Sequence, residues 1–462
     1  MGQSNRWDAL DSLKFADEGE AIARLLASRP LSPDARKSVV AEAAGLVQGA
    51  RSHARRQGVV ESFLKEFSLG TKEGLALMCL AEALLRTPDA ETRDRLIAEK
   101  ISMADWASHI GKSDSLFVNA STWGLMLTGK LVQMNDATRA DAPSAFKRLV
   151  GRVGEPVVRL AVRQAMKIMG HQFVMGRTIG EALSRSKKGD NASYRYSFDM
   201  LGEGALTTKD ALRYLEAYRQ AIHAIGKSGP GGHYLQHDVF AAPSISVKLS
   251  ALHPRYEHAK RERVFAELTP RVLELAQLAK SYGIGCTVDA EESDRLELSL
   301  DIIEQVFGDA SLAGWDGFGV VVQAYQKRTP YTIDHLADMA RRAGRRLQVR
   351  LVKGAYWDAE IKRAQELGLP HYPVFTHKHH SDISYLACAR ALLSAPDAIY
   401  PQFATHNAGT IAAILQMAEA AQAPFELQRL HGMGEGIYRE VMKSKAAPVR
   451  VYAPVEIGRA HV

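Results

Sequence analysis

Single charged or amide side chains interrupt short apolar segments in the second half of the chain, near the end of each segment. Lys248 lies in SISVKLSAL and Arg350 in LQVRLVKG, each on the face opposite to the alternating apolar residues. An unpaired buried charge is costly, so such groups persist in a shared interior when they pair with each other or bind a polar ligand. The pattern predicts a binding site for a small charged molecule, formed by Lys248, Asp289, Gln323, Arg350, His406, Gln428 and Tyr452.

A purely structural interpretation of this set is also open. In that case Lys248 pairs with Asp289, Arg350 pairs with a neighbouring carboxylate, and the groups satisfy one another. We favour a ligand site because the residues lie at or near the C-terminal ends of their segments. Barrel enzymes place their active sites at this end of the strands.

Eight short apolar segments alternate with amphipathic helices from residue 195 onward. This alternation is typical of α/β proteins, either a (β/α)8 barrel or a large doubly wound sheet. We predict a distorted (β/α)8 TIM barrel preceded by an all-helical region. No GxGxxG motif follows a strand and opens a helix, which argues against a Rossmann site. The predicted strands are residues 195–203, 244–252, 286–292, 320–325, 347–354, 399–406, 425–432 and 449–455.

A long insertion separates the fifth and sixth predicted strands, and it contains HYPVFTHKHH at residues 371–380. YPVFT is too short for a ninth strand, and insertions of this kind lie at the ligand-binding face of a barrel. The pair His377 and His379 could bind a metal, and Lys353 could form a Schiff base. A metal-dependent hydrolase, a Schiff-base aldolase and a non-catalytic assembly fragment therefore remain alternatives.

Helical periodicity dominates the chain up to about residue 185, with apolar stripes at residues 71–86, 89–101 and 156–183. These stripes are typical of core packing and carry no catalytic pattern. The polar segment at residues 184–193 is expected to be a loop between this region and the barrel.

The composition of the chain argues against a membrane-spanning, a secreted and a nucleic-acid-binding protein. The chain has 462 residues, 46% of them apolar, and a net charge of +7 from 59 Lys and Arg against 52 Asp and Glu. No apolar run approaches the roughly 20 residues of a membrane span, and the first residues lack a secretory signal. The cysteines, Cys79, Cys286 and Cys388, lack disulfide or zinc spacing. We therefore expect a cytoplasmic protein, and the scattered basic residues indicate no nucleic-acid partner.

Several longer blocks, in order along the chain, closely resemble the proline dehydrogenase domain of the bacterial bifunctional flavoenzyme proline utilization A. The resemblance extends from about residue 173 to residue 455. The blocks are SVKLSALHPRYE, VDAEESDRLELSLDIIE, QAYQKR, RLVKGAYWDAEIKRAQ, YPQFATHN, LHGMGE and YAPV.

The resemblance implies a barrel that binds FAD and oxidises L-proline to Δ1-pyrroline-5-carboxylate. Electrons would pass to a quinone at the membrane surface, so the protein could be peripheral to the inner membrane. The helical region would correspond to the arm and α-domain of this family and could mediate homo-oligomer formation.

The resemblance also implies roles for matching residues. The catalytic set would be Arg350 near flavin N5, Lys248 on the substrate carboxylate, and Asp289, while Glu203 in DMLGE matches a glutamate of an ion-pair gate. Residues expected to form the proline pocket are Lys248, Asp289, Ala355, Tyr356, Leu430, Tyr452 and Glu203. Residues expected to contact FAD are Asp289, Ala290, Val322, Gln323, Arg350, Val352, Lys353, Gly354, Ala355, Trp357, Phe375, Thr376, His377, Lys378, Thr405, His406, Asn407, Gln428 and Leu430.

One departure from the family pattern follows YAPV. There the family has a helix with two adjacent arginines that hold the proline carboxylate, whereas here the residues are EIGRAHV. The implied domains are a helical arm and α-domain at 1–170, a barrel without its last helix at 171–455, and a tail from truncation or cloning at 456–462. We expect FAD binding with weak or absent proline turnover, because charge-assisted contacts to the substrate would be missing. No residue is an obvious base for the amine proton.

Overall fold

The computed structural model describes residues 7–28, 31–53, 174–444 and 447–456. The helices predicted at residues 71–86 and 89–101 lie outside these ranges, and so does most of the helix predicted at 156–183. Of the expected tail, only Glu456 is described.

Eight parallel strands close into a barrel in which each strand pairs with its neighbours in sequence and β1 pairs with β8. The predicted (β/α)8 barrel is confirmed, and each predicted segment overlaps one strand. The pairing of β1 with β8, which closes the barrel, extends from Arg195 opposite Arg450 to Leu201 opposite Glu456. The strands are β1 Arg195–Leu201, β2 Ser244–Val247, β3 Gly285–Val288, β4 Phe318–Gln323, β5 Leu347–Val352, β6 Ile399–Ala404, β7 Glu426–Leu430 and β8 Val449–Glu456.

Alternation along the strands separates the outer core from the barrel interior. On β2, Ile245 and Val247 belong to the large apolar core, whereas the hydroxyl of Ser246 lies 3.3 Å from that of Ser197 on β1. Successive strand residues point to opposite faces, so the interior receives the polar members of each strand.

Helices surround the barrel, and three of them form an N-terminal arm. Side chains fix several starts: Thr207 and Asp210 form a reciprocal capping box, and Asn407 accepts a hydrogen bond from Thr410 N at 3.0 Å. The arm helices are α1 Asp8–Ser12, α2 Glu18–Ala27 and α3 Pro33–His53. The others are α4 Ile179–Ser186, α5 Thr208–Lys227, α6 Leu249–Leu252, α7 Arg261–Tyr282, α8 Leu296–Phe307, α9 Thr329–Arg342, α10 Trp357–Glu366, α11 Lys378–Leu393, α12 Ala408–Ala421 and α13 Glu435–Ser444.

The arm packs on the barrel helices. Trp7 donates its indole N–H to Asp301 at 3.0 Å, and Lys14 pairs with Asp294 at 2.7 Å. The described residues up to Arg51 belong to the same compact unit as the barrel. Among the helices that the structure describes, none is long and apolar enough to cross a membrane.

The insertion between β5 and β6 contains α10 and α11. YPVFT does not form a ninth strand, and only an isolated antiparallel bridge joins Val374 to Gln326. Backbone bonds also link Phe375 N to Tyr325 O at 2.8 Å and Lys327 N to Pro373 O at 3.2 Å. The insertion is therefore attached to the chain that leaves β4, at the C-terminal end of the barrel.

The continuous helix predicted through residue 183 is wrong over residues 174–178. Gly176 instead forms a parallel bridge with Val455, and Met175 N donates to Pro454 O at 2.7 Å. The hydroxyl of Thr178 then caps α4. The loop predicted at 184–193 is also partly wrong, because it begins within α4 and ends in the 3-10 turn Gly189–Ser193.

Candidate active site

Five side chains from five strand ends meet in the barrel. Lys248, directly after β2, donates from Nζ to Asp199 Oδ1 at 3.1 Å and to Asp289 Oδ2 at 3.2 Å. Arg350 on β5 donates to Asp289 Oδ1 at 2.9 Å, and the Tyr452 hydroxyl donates to Asp289 Oδ2 at 2.9 Å. The structure thus brings together four residues of the predicted set, with Asp289 at their centre.

Arg350 is buried and held from several sides. Its guanidinium donates to the hydroxyls of Ser197 and Ser246, both at 3.0 Å, and its carbon lies 4.9 Å from the centre of the Tyr452 ring. Its Nε has no hydrogen-bond partner among the described residues. A buried donor without an acceptor is expensive, and this one is available to a bound acceptor.

The pKa values of the two carboxyl groups of this cluster are shifted in opposite directions. Burial raises the pKa of Asp199 above its usual value, and the opposing effect of Lys248 does not outweigh it. Burial would also raise the pKa of Asp289, but Lys248 and Arg350 together lower it. For Lys248, burial would lower the pKa, yet Asp289, Tyr452 and Asp199 raise it. Asp289 and Lys248 therefore stay charged near neutral pH, whereas Asp199 holds a proton more readily than an ordinary aspartate.

Asp199 was not in the predicted set. It is buried on β1, two residues after Ser197, and both side chains reach the interior cluster. Alternation in RYSFDMLGE was the available signal, since Phe198 and Met200 supply the apolar face. The structural interpretation considered for the sequence is also realised, because every charge in this cluster has a partner.

The loop after β5 is held by Gln323. Its Oε1 accepts from Ala355 N at 3.2 Å, while its Nε2 donates to Glu291 O at 2.8 Å. Gly354 has φ +143°, and a Cβ there would lie 2.5 Å from the Tyr325 ring. Only glycine allows the chain to pass this close to Tyr325 in this conformation.

Lys353 forms an ion pair with Asp382, which also binds Lys378 at 2.9 Å. A Schiff-base lysine must present its amine to a carbonyl substrate, whereas the Lys353 amine is engaged by a carboxylate. Among the described residues, no group of three or more His, Cys, Asp or Glu side chains is placed to hold a metal ion. His380 instead pairs with Glu18 of the arm, at 2.5 Å from Nδ1 to Oε1.

The His406 ring is fixed by backbone from the next strand, since its Nε2 accepts from Leu430 N at 3.0 Å. Burial lowers the pKa of His406, and the positive charge of Arg429 adds to this effect. The imidazole is therefore neutral near pH 7, with its other nitrogen free to act as a donor. Before it in the chain, the Thr405 hydroxyl accepts from Asn407 N at 3.2 Å.

Gln428 lies inside the barrel but bonds to a different set of residues. Its Nε2 donates to Glu426 Oε1 at 3.1 Å, and Glu426 also binds Arg450 and Arg195. Its Oε1 has no partner in the described part of the chain. The predicted set is therefore divided. Four members form the Asp289 cluster and Gln428 belongs to this second buried network, whereas Gln323 and His406 bond to backbone groups of neighbouring segments.

Residues expected at the rim of the site differ in exposure. Tyr356 is half-buried, and its pKa is raised by burial and by the nearby carboxylate of Glu203. The Trp357 side chain is 41% exposed, while its indole N–H donates to Phe375 O at 2.9 Å. Of the remaining predicted contacts, Val322 and Phe375 are buried, and Ala290 and Val352 are half-buried.

A closed parallel barrel with a buried cation and carboxylate cluster at its strand ends defines a TIM-barrel enzyme. Residues 182–457 match the family model described as "Proline dehydrogenase". The chain therefore belongs to the proline dehydrogenase family, as its sequence blocks predict.

Relatives agree with this assignment. The chain is 51% identical to the bifunctional protein PutA of Klebsiella aerogenes over 466 residues, covering 98% of this chain and 35% of that protein. It is 26% identical to proline dehydrogenase 1 of Bacillus subtilis over 302 residues, covering 64% of this chain and 85% of that one. A crystal structure of a Bradyrhizobium japonicum proline utilization A mutant has a TM-score of 0.71 at 49% identity, covering 96% of this chain and 44% of that chain. The chain thus spans about a third of the length of its PutA relatives.

A second family model, described as "DNA-binding domain of Proline dehydrogenase", matches residues 59–173. These residues lie outside the described ranges. The description names DNA binding, which the scattered basic residues did not predict.

Proposed function

We propose that this chain binds FAD and oxidises L-proline to Δ1-pyrroline-5-carboxylate. The observation that carries the proposal is the cluster of Lys248, Arg350 and Asp289 at the barrel strand ends, in a chain of the proline dehydrogenase family. Proline carries one carboxylate and one amine, so its site needs fixed charges of both signs.

The described residues fit a flavin. Arg350 Nε is a buried donor without an acceptor, and the exposed face of Trp357 offers an aromatic surface for an adenine ring. Between them the chain leaves β5 through Val352, Lys353 and Gly354, which are half-buried, and Ala355, which is exposed. Arg350, Gln323 and His406 would hold the ring system, and residues 376–378 the nucleotide portion.

Lys248 is placed to bind the substrate carboxylate. Asp199 and Asp289 stabilise its positive charge, and 14% of the Lys248 side chain is exposed. An ammonium that is kept charged and only partly satisfied attracts a carboxylate strongly. Asp289 fixes both Lys248 and Arg350, so it sets the distance between the carboxylate-binding group and the flavin-facing cation.

The reaction removes two hydrogens from proline. A bound flavin would accept the hydride from C5, which is chemistry that the protein side chains do not supply. The remaining hydrogen leaves the amine as a proton. Asp199 lies in the same cluster and has a raised pKa, so it is a candidate acceptor for this proton.

Further parts of the proposal come from the family resemblance. They are electron transfer to a quinone, a cytoplasmic location peripheral to the membrane, and an oligomer formed through the helical region. The domain division at residues 170 and 455 is also a proposal. The expectation of weak proline turnover depends on residues that follow 456, which the structure does not describe, and it stays a prediction.

An absorption spectrum tests the main proposal. The purified chain with added FAD should show a protein-bound flavin band near 450 nm, and proline at high concentration should bleach it slowly, as the expected weak turnover requires. A chain that takes up no FAD would overturn the proposal. Metal content and borohydride trapping with a carbonyl substrate test the hydrolase and aldolase alternatives, and a flavin-free protein of defined oligomeric state would favour an assembly role.

Nucleic-acid binding is a second candidate function, favoured by the family model matched at residues 59–173. A mobility-shift titration with duplex DNA at two salt concentrations tests it. Specific binding should survive competitor DNA at both salt concentrations, whereas binding that competitor DNA removes would reflect only the net positive charge.

A further inference from the structure

A carboxylate of the N-terminal arm reaches the insertion that carries the expected nucleotide-binding residues. Glu18, the first residue of α2, accepts hydrogen bonds from Thr376 N at 3.0 and 3.1 Å and from the Thr376 hydroxyl at 2.8 Å. It also accepts a hydrogen bond from His377 N at 3.5 Å, and its Oε1 lies 2.5 Å from His380 Nδ1. One side chain therefore binds three residues of the segment that opens α11.

These bonds are strong enough to shift the titration of Glu18. Burial would raise its pKa, but the hydrogen bonds from His380 and Thr376 lower it below the usual value. The carboxylate is therefore ionised near neutral pH, where its bonds to N–H and O–H donors are charge-assisted. Its position at the start of the 16-residue helix α11 is also favourable to a negative charge.

The backbone of α2 and its apolar face hold the same segment. Phe375 is fully buried in a small cluster with Ala21, Ile22 and Leu25 of α2. Lys327 donates to Ala16 O at 2.8 Å, which fixes the turn before α2 to the chain that leaves β4. Glu18 is thus presented by an anchored helix and is not a free surface side chain.

The segment that α2 contacts also binds two residues at the edge of the candidate site, Trp357 and Tyr325. Phe375 O accepts from the Trp357 indole, and Phe375 N donates to Tyr325 O, next to the Gly354 loop. A displacement of residues 375–377 would therefore move Trp357 and loosen the loop after β5. Glu18 touches none of the cluster around Asp289, so its effect can reach the site only through this segment.

We propose that Glu18 is a positioning residue of the cofactor site. It holds residues 375–380 in the arrangement that receives the nucleotide portion of FAD, so that the arm, some 358 positions away in sequence, is part of the cofactor-binding apparatus. The inference rests on the proposed function and adds a residue from outside the barrel.

Glu18→Gln tests this proposal with a small change of shape. The amide keeps one acceptor, loses the charge and turns an NH2 toward donors. Glu20→Gln is the matched control, because Glu20 lies in the same helical turn, its side chain is 73% exposed, and among the described residues that side chain pairs only with Arg24, at 3.9 Å. We expect FAD to bind to the flavin-free Glu18→Gln protein about tenfold more weakly, a change of about 1.4 kcal/mol. The control should bind FAD as the unmodified chain does.

Two readouts keep this result separate from catalysis and from general misfolding. FAD affinity is measured by quenching of flavin fluorescence, and hydrogen exchange of the Thr376 and His377 amides is measured before FAD is added. Both amides should exchange faster in Glu18→Gln than in the unmodified chain. In Glu20→Gln their exchange rates should be unchanged. If Glu18→Gln does not fold, His380→Phe is measured in its place. It removes one of the bonds to Glu18 at a residue outside the expected FAD contacts, and it should also weaken FAD binding.

The outcomes distinguish the two proposals. If the unmodified chain binds no FAD, the proposed function fails. If it binds FAD and Glu18→Gln binds equally well, the positioning role is overturned while the function stands. Tighter binding by Glu18→Gln would also overturn it, since the carboxylate would then compete with a phosphate for the Thr376 and His377 donors.

Discussion

Asp199 and Asp289 bind the same ammonium group, at 3.1 and 3.2 Å from Lys248 Nζ, yet their pKa values move in opposite directions. The difference arises because Arg350 also binds Asp289, while burial dominates at Asp199. Two carboxyl groups whose surroundings separate their pKa values are suited to different tasks. Asp289 is the permanent anion of the site, and Asp199 is the group that can exchange a proton.

Asp289→Asn should destabilise the fold. It leaves Lys248 and Arg350 without their shared carboxylate, at a cost of about 3 kcal/mol near neutral pH. Because the folded-state pKa of Asp289 is lowered, its contribution is present above the usual value of 3.8 and is lost as the pH falls through the folded-state value. Urea unfolding of both proteins should show the difference shrinking on the acid side, and a difference independent of pH would contradict this account.

Asp199→Asn should change the pH dependence of flavin bleaching by proline. If Asp199 accepts the amine proton, the bleaching rate rises with pH as its carboxyl group ionises, and the raised pKa places this rise above the usual aspartate range. The asparagine variant should lose this part of the profile and be slower by about tenfold or more. Asp190→Asn, at a side chain that is 85% exposed, is the control for stopped-flow measurements. An unchanged profile in Asp199→Asn would remove Asp199 as the acceptor.

Arg350→Gln should lower the reduction potential of the bound flavin. A buried cation beside the ring favours the electron-rich reduced form, and the neutral amide withdraws this support. The expected decrease is about 30 mV or more, equivalent to about 1.4 kcal/mol for two electrons. Potentiometric titration measures it, with Arg342→Gln as the exposed control. Equal potentials in the two variants would place Arg350 away from the flavin.

Gly354→Ala should weaken FAD binding through the loop after β5. The added Cβ would lie 2.5 Å from the Tyr325 ring at φ +143°, so the loop must shift. Gly344→Ala is a useful comparison, because φ is +62° there and nothing lies within 4 Å of the new Cβ. Both variants should lose about 1 kcal/mol or more of stability from backbone strain, but only Gly354→Ala should lose FAD affinity. Equal affinities in fluorescence titrations would contradict the role of this loop.

Much of the barrel could be predicted because its signals are local. Alternation in β2 and β5 shows which face of each strand is polar, and closure of the barrel then brings Lys248 and Arg350 together without further information. Asp199 follows the same rule but was missed, since its partner Lys248 lies 49 positions away and nothing within RYSFDMLGE indicates the pairing.

Other features depend on contacts that no local pattern contains. Glu18 looks like an ordinary acidic residue in the first turn of a helix, and its partners are more than 350 positions away. The break before α4 has a similar cause, because Gly176 leaves the helical pattern to pair with Val455 of β8. Tertiary pairing overrides local propensity at Gly176, whereas Glu18 keeps its helical position and gains distant partners.

Closure of the barrel by β8 has a consequence for synthesis of the chain. Arg450 contacts the carbonyl of Tyr196, 254 positions earlier, and Tyr452 reaches Asp289, 163 positions earlier. Contacts of such large sequence separation form late and slowly. A ribosome must therefore release residues 449–456 before β1 gains its second neighbour, and until then the nascent chain exposes two unpaired strand edges. Newly made protein in this interval is the form most prone to aggregation and most in need of a chaperone.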